Sequence, residues 1–393
     1  MLVLNIYRNI ESAYVDQIRG LCSSLHRHPE LGFCEYETTA LLRKLIMEKG
    51  VSLLPLNLET GVAALLPGGP GRKVALRADI DAISQHEQYD RPDRSEKDGI
   101  MHGCGHDTHT AGLYGALCYL SDHRELLKGD VLFIFQPAEE TLKGAQHMID
   151  CGLWNQFQPD MLFGLHNQPA IPIGQVGIRS GALMSYKDGF RIRYIGKSGH
   201  TSTPQKNVDP IVAIAQLITA LQTVVSRNVG PLEQAVLTVC SVEAGSPFTT
   251  TIDYAEITGN IRTLAFPVRD RVLERVKVLA EGIGSSFECR TEIEELHITD
   301  GVVNSEELLP FAQKAGLSVF GSEGIVVPEV NLASEDFSIL GRGIPYFFYF
   351  LGSGTPGEMP YPWHNPCFHA HPQTPVYGAA LLTASVLAAQ GSI

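Results

Sequence analysis

The alternation of apolar and polar positions divides the chain into two styles of structure. Residues 36–50, "YETTALLRKLIMEKG", repeat their apolar side chains at helical spacing and stop at Gly50, so a helix is expected there. "KVALRADID" then reads as an apolar strand ending in acids. "HTAGLYGALCYLSDHRELLKG" reads as a buried helix and "DVLFIF" as a fully buried strand running straight into "QPAEE". After a further helical segment, "DMLFGL" is another buried strand, ending at "HNQP". Strands alternating with helices predict an α/β fold, a mainly parallel sheet with helices on both faces.

Near residue 185 the style changes. "FRIRYIG" alternates as a half-buried strand, and "DPIVAIAQLITALQTVVSRN" follows as an amphipathic helix. "QAVLTVCSVEAG" and "TTTIDYAEITGNIRTLAF" read as strands, "PVRDRVLERVKVLAEGIG" as a helix and "FECRTEIEEL" as a strand. This βαββαβ order is the split-βαβ, ferredoxin-like α+β pattern. Beyond about residue 299 the first style returns. The expected organisation is one discontinuous domain, residues 1–184 and 299–393, with residues 185–298 inserted as a second.

Composition narrows the class. With 44% hydrophobic and 19% charged residues, the chain has the make-up of an ordinary globular protein. Its net charge of -13 argues against nucleic-acid and anionic-membrane partners. No apolar run is read as a membrane span. The start, "MLVLNIYRNIESAY", lacks a basic leader and a real h-region, which argues against a secretory signal. The 8 cysteines, scattered singly, read as buried thiols in a reducing cytoplasm, except Cys104.

Cys104 stands in "GIMHGCGHDTHT", where His102, Cys104, His106 and His109 crowd between glycines. A loop of this kind lets a thiolate and an imidazole reach one ion or two adjacent ions. His102 and His109 are the weaker candidates, since His109 stands at the expected start of a helix, where it caps or packs. A structural zinc finger needs a second ligand pair at defined spacing, and the sequence has none. A Cys104 thiol nucleophile with a histidine base stays open as an alternative. The pair Glu139-Glu140 follows a strand; beside a metal, one carboxylate can ligate while the other takes a proton. His166 and His364 are ordinary histidines singly and gain weight as members of a set. Three expected strands thus end in candidate ligands, at Asp79 and Asp81, at Glu139 and Glu140, and at His166. In open α/β sheets, sites form outside the carboxyl ends of strands.

"HRHPELGFCEYET", "ALRADIDAI", "GIMHGCGHDTHTAGLYGA", "FQPAEE", "GLHNQP", "GKSGHTSTPQ", "GNIRT", "ASEDFS" and "HNPCF" occur in an order that resembles the aminoacylase/carboxypeptidase family of dinuclear metallohydrolases. The likeness covers nearly the whole chain and is nearest to the amidohydrolase branch that includes indole-3-acetyl-amino-acid hydrolases and N-acyl-amino-acid deacetylases. It implies a catalytic domain holding two divalent metal ions and a lid domain through which a homodimer forms; thiolate and imidazole ligands favour zinc by softness, while carboxylates allow manganese. By position, Cys104, His106, Glu140, His166 and His364 match the family's metal ligands and Glu139 its general acid/base. His200 resembles the lid histidine that polarises the scissile carbonyl in the partner's site. Asn260 and Arg262 resemble lid residues that hold the substrate, and Asp81 the carboxylate that orients the metal site, a role Asp79 could share. Ser84 stands where the family often has proline and Gln205 where it often has histidine. Both departures bear on substrate preference. The implied activity is metal-assisted hydrolysis of N-acyl amino acids, with a dipeptidase or carboxypeptidase on the same centre as the alternative.

Overall fold

The computed structural model describes residues 5–245 and 248–393. The first four residues of the opening apolar patch lie outside them. The chain forms two compact units. One comprises the chain up to Gly181 with Val303–Glu329 and Asp336–Ile393; the other comprises Ala182–Val302 and Val330–Glu335. The grouping of 330–335 with the second unit was not expected from hydrophobic pattern. It is made by polar contacts: the Asn331 amide donates to Leu183 O at 2.8 Å and the Ser185 amide to Ala333 O at 3.1 Å.

The first unit is built on an 8-stranded mixed sheet. Its order is Ser52–Leu53, Val62–Pro70, Gly129–Gln136, Val74–Asp79, Met161–Pro172, Tyr346–Gly354, Val176–Gly177 and Ile325–Val326. The central strands Gly129–Gln136, Val74–Asp79, Met161–Pro172 and Tyr346–Gly354 are mutually parallel. Antiparallel pairings flank them on both sides. All residues of Val74–Asp79 are buried, as expected for a central strand covered on both faces. Met161–Pro172 does not stop before His166. It keeps its pairing with Tyr346–Gly354, so His166 lies opposite Phe350 within the ladder.

Helices Ile6–Arg27, His106–Asp122 and Thr374–Ala389 pack together over this sheet. Their close approach depends on small residues. A Cβ on Gly115 would stand 2.5 Å from Ile18 Cδ1 and 2.9 Å from Ala379 Cβ. Thr374–Ala389 is buried all round, the signature of a helix inside a core.

The second unit is a 4-stranded antiparallel sheet in the order Ala235–Glu243, Tyr254–Thr263, Tyr186–Ile195, Arg290–Thr299. Helices Pro210–Asn228 and Phe266–Ser286 share its core, with Leu217, Leu221, Val272 and Val276 against Phe190, Ile192, Ile257 and Ile261. Pro210–Asn228 has the length and apolarity of a membrane span, contrary to the reading that no segment does. Its buried residues Ala213, Ile214, Leu217, Leu221 and Val224 nevertheless fall on one stripe, which faces that core. Not every cysteine outside the metal-like loop is a buried thiol: Cys34 and Cys240 are exposed.

Candidate metal centre and hydrolytic site

Helix His106–Asp122 begins three residues before His109, at His106, after Gly105 in the left-handed region at φ 85°. Glycine is required there twice over, because a Cβ would also meet Asn167 Nδ2 at 2.4 Å. Strand Gly129–Gln136 ends at Pro137 and Ala138, and Glu139 and Glu140 open a short turn. These strand and helix ends bring the candidate side chains of the first unit together.

Donor atoms of Cys104, His106 and His166 lie within 4.8 Å of one another, and so do those of Cys104, Glu140 and His364. The two groups share Cys104, and together they contain all five residues that match the family's ligands. Cys104 Sγ lies 3.4 Å from His166 Nε2, and His364 Nε2 lies 3.1 Å from Glu140 Oε1. His106 Nε2 is 3.9 Å from both Glu139 Oε2 and Glu140 Oε1. Its other nitrogen, Nδ1, meets Asp81 O at 2.9 Å and Asp81 Oδ1 at 3.1 Å. Asp81 Oδ2 accepts from the Glu140 amide at 3.0 Å. Asp81 thus hydrogen-bonds both the imidazole and the carboxylate-bearing turn. Asp79 does something else. It accepts from His109 Nδ1 at 2.6 Å and from Arg77 at 2.9 Å.

The electrostatics suit cations. Burial, reinforced by Glu140, Glu139 and Asp79, pushes the Cys104 thiol well above its ordinary range. A nucleophilic cysteine needs the opposite shift, which counts against a thiol amidase. A thiolate forms in these surroundings once positive charge is supplied. Burial opposes protonation of His106, but Asp79 and Asp81 outweigh it and lift the ring to about 10. Burial holds His166 well down, leaving a neutral ring suited to ligation. Among the described residues, His106 Nε2 is a buried nitrogen without a hydrogen-bond partner, and it faces the two glutamates. A soft thiolate, three imidazoles and carboxylates around such an atom fit a pair of divalent ions.

Behind this cluster stand His109, expected from the sequence only to cap or pack, and Arg77 and Asn167, which were not singled out from the sequence. The tautomer of His109 is fixed: Nδ1 donates to Asp79, and Nε2 accepts from the Asn167 amide at 2.8 Å. Asn167 Nδ2 in turn donates to Cys104 O at 2.6 Å. Arg77 is fully buried and also reaches Gln136 at 2.9 Å and Asp336 at 3.1 Å. The signal was an arginine inside an otherwise apolar strand, which has to find partners there.

A second buried group lies at the back of the same loop. His26 bridges Asp107 at 2.8 Å and Glu87 at 3.1 Å. Burial works against its charge, but Asp107 and Glu87 raise it to about 9. The folded state thus keeps a proton that the unfolded chain releases near 6.5. This stabilisation is complete below that pH and is lost as pH climbs through about 9. The unfolding free energy of the wild type, read by denaturant titration, is therefore expected to fall across this window, by at most about 1.4 kcal/mol per pH unit from this group. His26→Asn should be less stable at the acidic end and flatter with pH. An equal slope in both proteins would assign the pH dependence elsewhere.

In the second unit His200 ends the short strand Gly199–His200 and is exposed. Its Nδ1 accepts from the Ser202 amide at 3.1 Å, which leaves the ring hydrogen on Nε2. Asn260 and Arg262 lie on the half-buried face of Tyr254–Thr263, while Ile261 and Thr263 are buried on the other. Arg262 Nη1 donates to Leu332 O at 2.6 Å and Ser334 Oγ at 3.0 Å, and Asn260 Nδ2 lies 3.1 Å from Cys240 Sγ.

Comparison with known proteins identifies the family. The profile of peptidase family M20/M25/M40 matches residues 75–388. An N-acetylcysteine deacetylase of Bacillus subtilis is 38% identical over 91% of this chain and 93% of its own length. An IAA-amino acid hydrolase of Arabidopsis thaliana (ILR1-like 4) is 33% identical over 94% of this chain and 84% of its own. The crystal structure of a dinuclear metal-binding M20 peptidase from Bacillus subtilis superposes with a TM-score of 0.86 at 33% identity, over 97% of this chain and 100% of the other. Sequence, fold and cluster converge: the chain belongs to peptidase family M20/M25/M40 and is a metal-dependent hydrolase.

Proposed function

We propose that this chain hydrolyses the amide bond of N-acyl amino acids, with Glu139 as the proton-transfer group and a pair of zinc or manganese ions held by Cys104, His106, Glu140, His166 and His364. The observation that carries the reading is the cluster, buried at Cys104, His106 and His166 and open at His364, in which two donor groups share Cys104 and Glu139 stands beside them. The relatives named as an N-acetylcysteine deacetylase and an IAA-amino acid hydrolase support the substrate class. When bound, such ions lower the pKa of water and polarise a carbonyl. The soft thiolate favours zinc, and the carboxylate admits manganese.

The chain's own residues divide the remaining work. Asp81 holds His106 through Nδ1, so that Nε2 is turned to the cluster. Glu139 takes a proton from the attacking water as its oxygen bonds to the amide carbon. When the carbon–nitrogen bond breaks, Glu139 delivers that proton to the leaving amine. His200, with hydrogen on Nε2, is a donor for the developing oxyanion. Its exposure suits service to a second subunit, and we assign the assembly as a homodimer formed through the second unit. The edge strand Ala235–Glu243 and the exposed Ile211 and Val212 of helix Pro210–Asn228 offer backbone and apolar surface for such a contact.

Asn260 and Arg262 are the proposed substrate-holding pair. A guanidinium suits a carboxylate, which it binds through two parallel hydrogen bonds. An N-acyl amino acid with a free α-carboxylate should therefore outperform its amidated analogue by roughly 2–5 kcal/mol of transition-state binding. Arg262→Ala should cost the acid far more than the amide and shrink the gap. The measurement is kcat/KM for both analogues on both enzymes. Equal turnover of acid and amide by the wild type would remove Arg262 from the site.

A further inference from the structure

The stretch "HRHPELGFCEYET" has no part in the chemistry so far, yet it packs under both acidic segments of the site. Glu30 O accepts from the Ala82 amide at 2.8 Å, and Leu31 bridges Ala82, which fixes the backbone next to Asp81. The Glu30 carboxylate accepts from the Glu37 and Thr38 amides, at 3.2 and 2.8 Å, and so caps helix Tyr36–Glu48. A Cβ on Gly32 would stand 3.0 Å from Ala138 Cα and 3.1 Å from Thr141 Cγ2, so the loop lies directly against the turn carrying Glu139 and Glu140.

Within this loop Glu35 is fully buried, and one of its oxygens, Oε1, accepts from the Ala138 amide at 2.7 Å. Ala138 sits in the left-handed region at φ 54°, a conformation that a residue with a Cβ adopts only when its surroundings hold it there. It immediately precedes Glu139. The hydrogen bond from Ala138 to Glu35 is thus a restraint at the strained residue that sets where the Glu139 side chain departs from the backbone.

We propose that Glu35 is a positioning residue for proton transfer: by accepting from the Ala138 amide it holds the left-handed turn that aims the Glu139 carboxylate. This rests on the reading of Glu139 as the proton-transfer group. Burial and the nearby Asp81 lift the Glu35 carboxyl to about 7, so glutamine, which keeps a carbonyl oxygen for the Ala138 amide, is a close mimic of its acid form.

The test compares Glu35→Ala, Glu35→Met and Glu35→Gln with the wild type and with Glu139→Gln. A misplaced catalytic group costs up to about 10²-fold in rate. Glu35→Ala and Glu35→Met should therefore lower kcat by about 10- to 100-fold, with KM and bound metal essentially unchanged. Glu35→Gln should restore kcat to within a few-fold of the wild type. A buried acid with only a structural role would lower the melting temperature in all three variants and leave kcat of the folded enzyme alone. That result overturns the proposal, and so does loss confined to KM or to metal content. Should the alanine variant fail to fold, Glu35→Met, which keeps the volume without the acceptor, decides by the same criterion. Wild-type kcat in Glu139→Gln would overturn the underlying reading instead. Inactive Glu139→Gln beside fully active Glu35→Met would sink the Glu35 proposal alone.

Discussion

Glu139→Gln is expected to lower kcat by on the order of 10²–10⁴-fold while the protein keeps its metal. The substitution preserves the shape of a buried side chain 3.9 Å from His106 Nε2 and removes only its capacity to take a proton. Glu140, next in sequence, shares with Glu139 a donor group around His106 and is tied to the Cys104 group as well. It meets His364 at 3.1 Å and belongs to the donor group with Cys104, so Glu140→Gln should release metal. Elemental analysis beside kcat separates the two roles. Metal loss in Glu139→Gln with retention in Glu140→Gln would reverse the assignment within the pair. The same variant also tests assembly. If His200 serves the neighbouring subunit, mixing Glu139→Gln with His200→Ala should recover part of the activity, because one hybrid site then holds both native residues. No recovery after demonstrated subunit exchange would confine His200 to its own chain or remove it from the reaction.

The parallel centre of the sheet is legible because Val74–Asp79, Gly129–Gln136 and the start of Met161–Pro172 are apolar runs too short for helices and punctuated by acids or histidine. The split-βαβ unit is legible because its strands alternate and its two helices each carry one apolar stripe. Less could be read where apolar side chains do not decide. His106 lies in a helix because Gly105 takes up a left-handed turn, and no periodicity marks that start. The strand through His166 continues because backbone pairing with Tyr346–Gly354 continues, whatever side chains it carries. The all-buried helix Thr374–Ala389 has no polar face to betray its period. At the site, motifs expose the residues that face the cluster and Asp81 behind His106, but leave others behind them unmarked. Arg77, Asn167 and Glu35 act through hydrogen bonds to residues far away in sequence, and spacing alone carries no trace of such pairings; His109 is marked by its motif, but its link to Asp79 and Asn167 is not.

Exhaustive chelation is expected to abolish activity, and zinc, manganese or cobalt should restore part of it, with about two ions bound per chain in the active form. The expectation follows from charge. Asp79, Asp81, Glu139 and Glu140 converge around His106, with Arg77 already committed to Asp79, Gln136 and Asp336. The Cys104 thiol is pushed up by burial and by the carboxylates near it, so its ionisation is coupled to the arrival of a cation. Metal uptake should therefore release protons and raise the denaturant midpoint, two readouts that need no turnover. Cys104→Ser removes the donor common to both groups and puts a weak hydroxyl ligand in its place. It should bind metal more weakly than His364→Ala, which removes one exposed donor from one group. Titration of metal-free wild type and the two variants, followed by proton release and stoichiometry, gives the order of affinities. Full activity in a verified metal-free protein would end the metallohydrolase reading. Equal metal retention in Cys104→Ser and the wild type would leave the ions in place and take Cys104 out of their shared position.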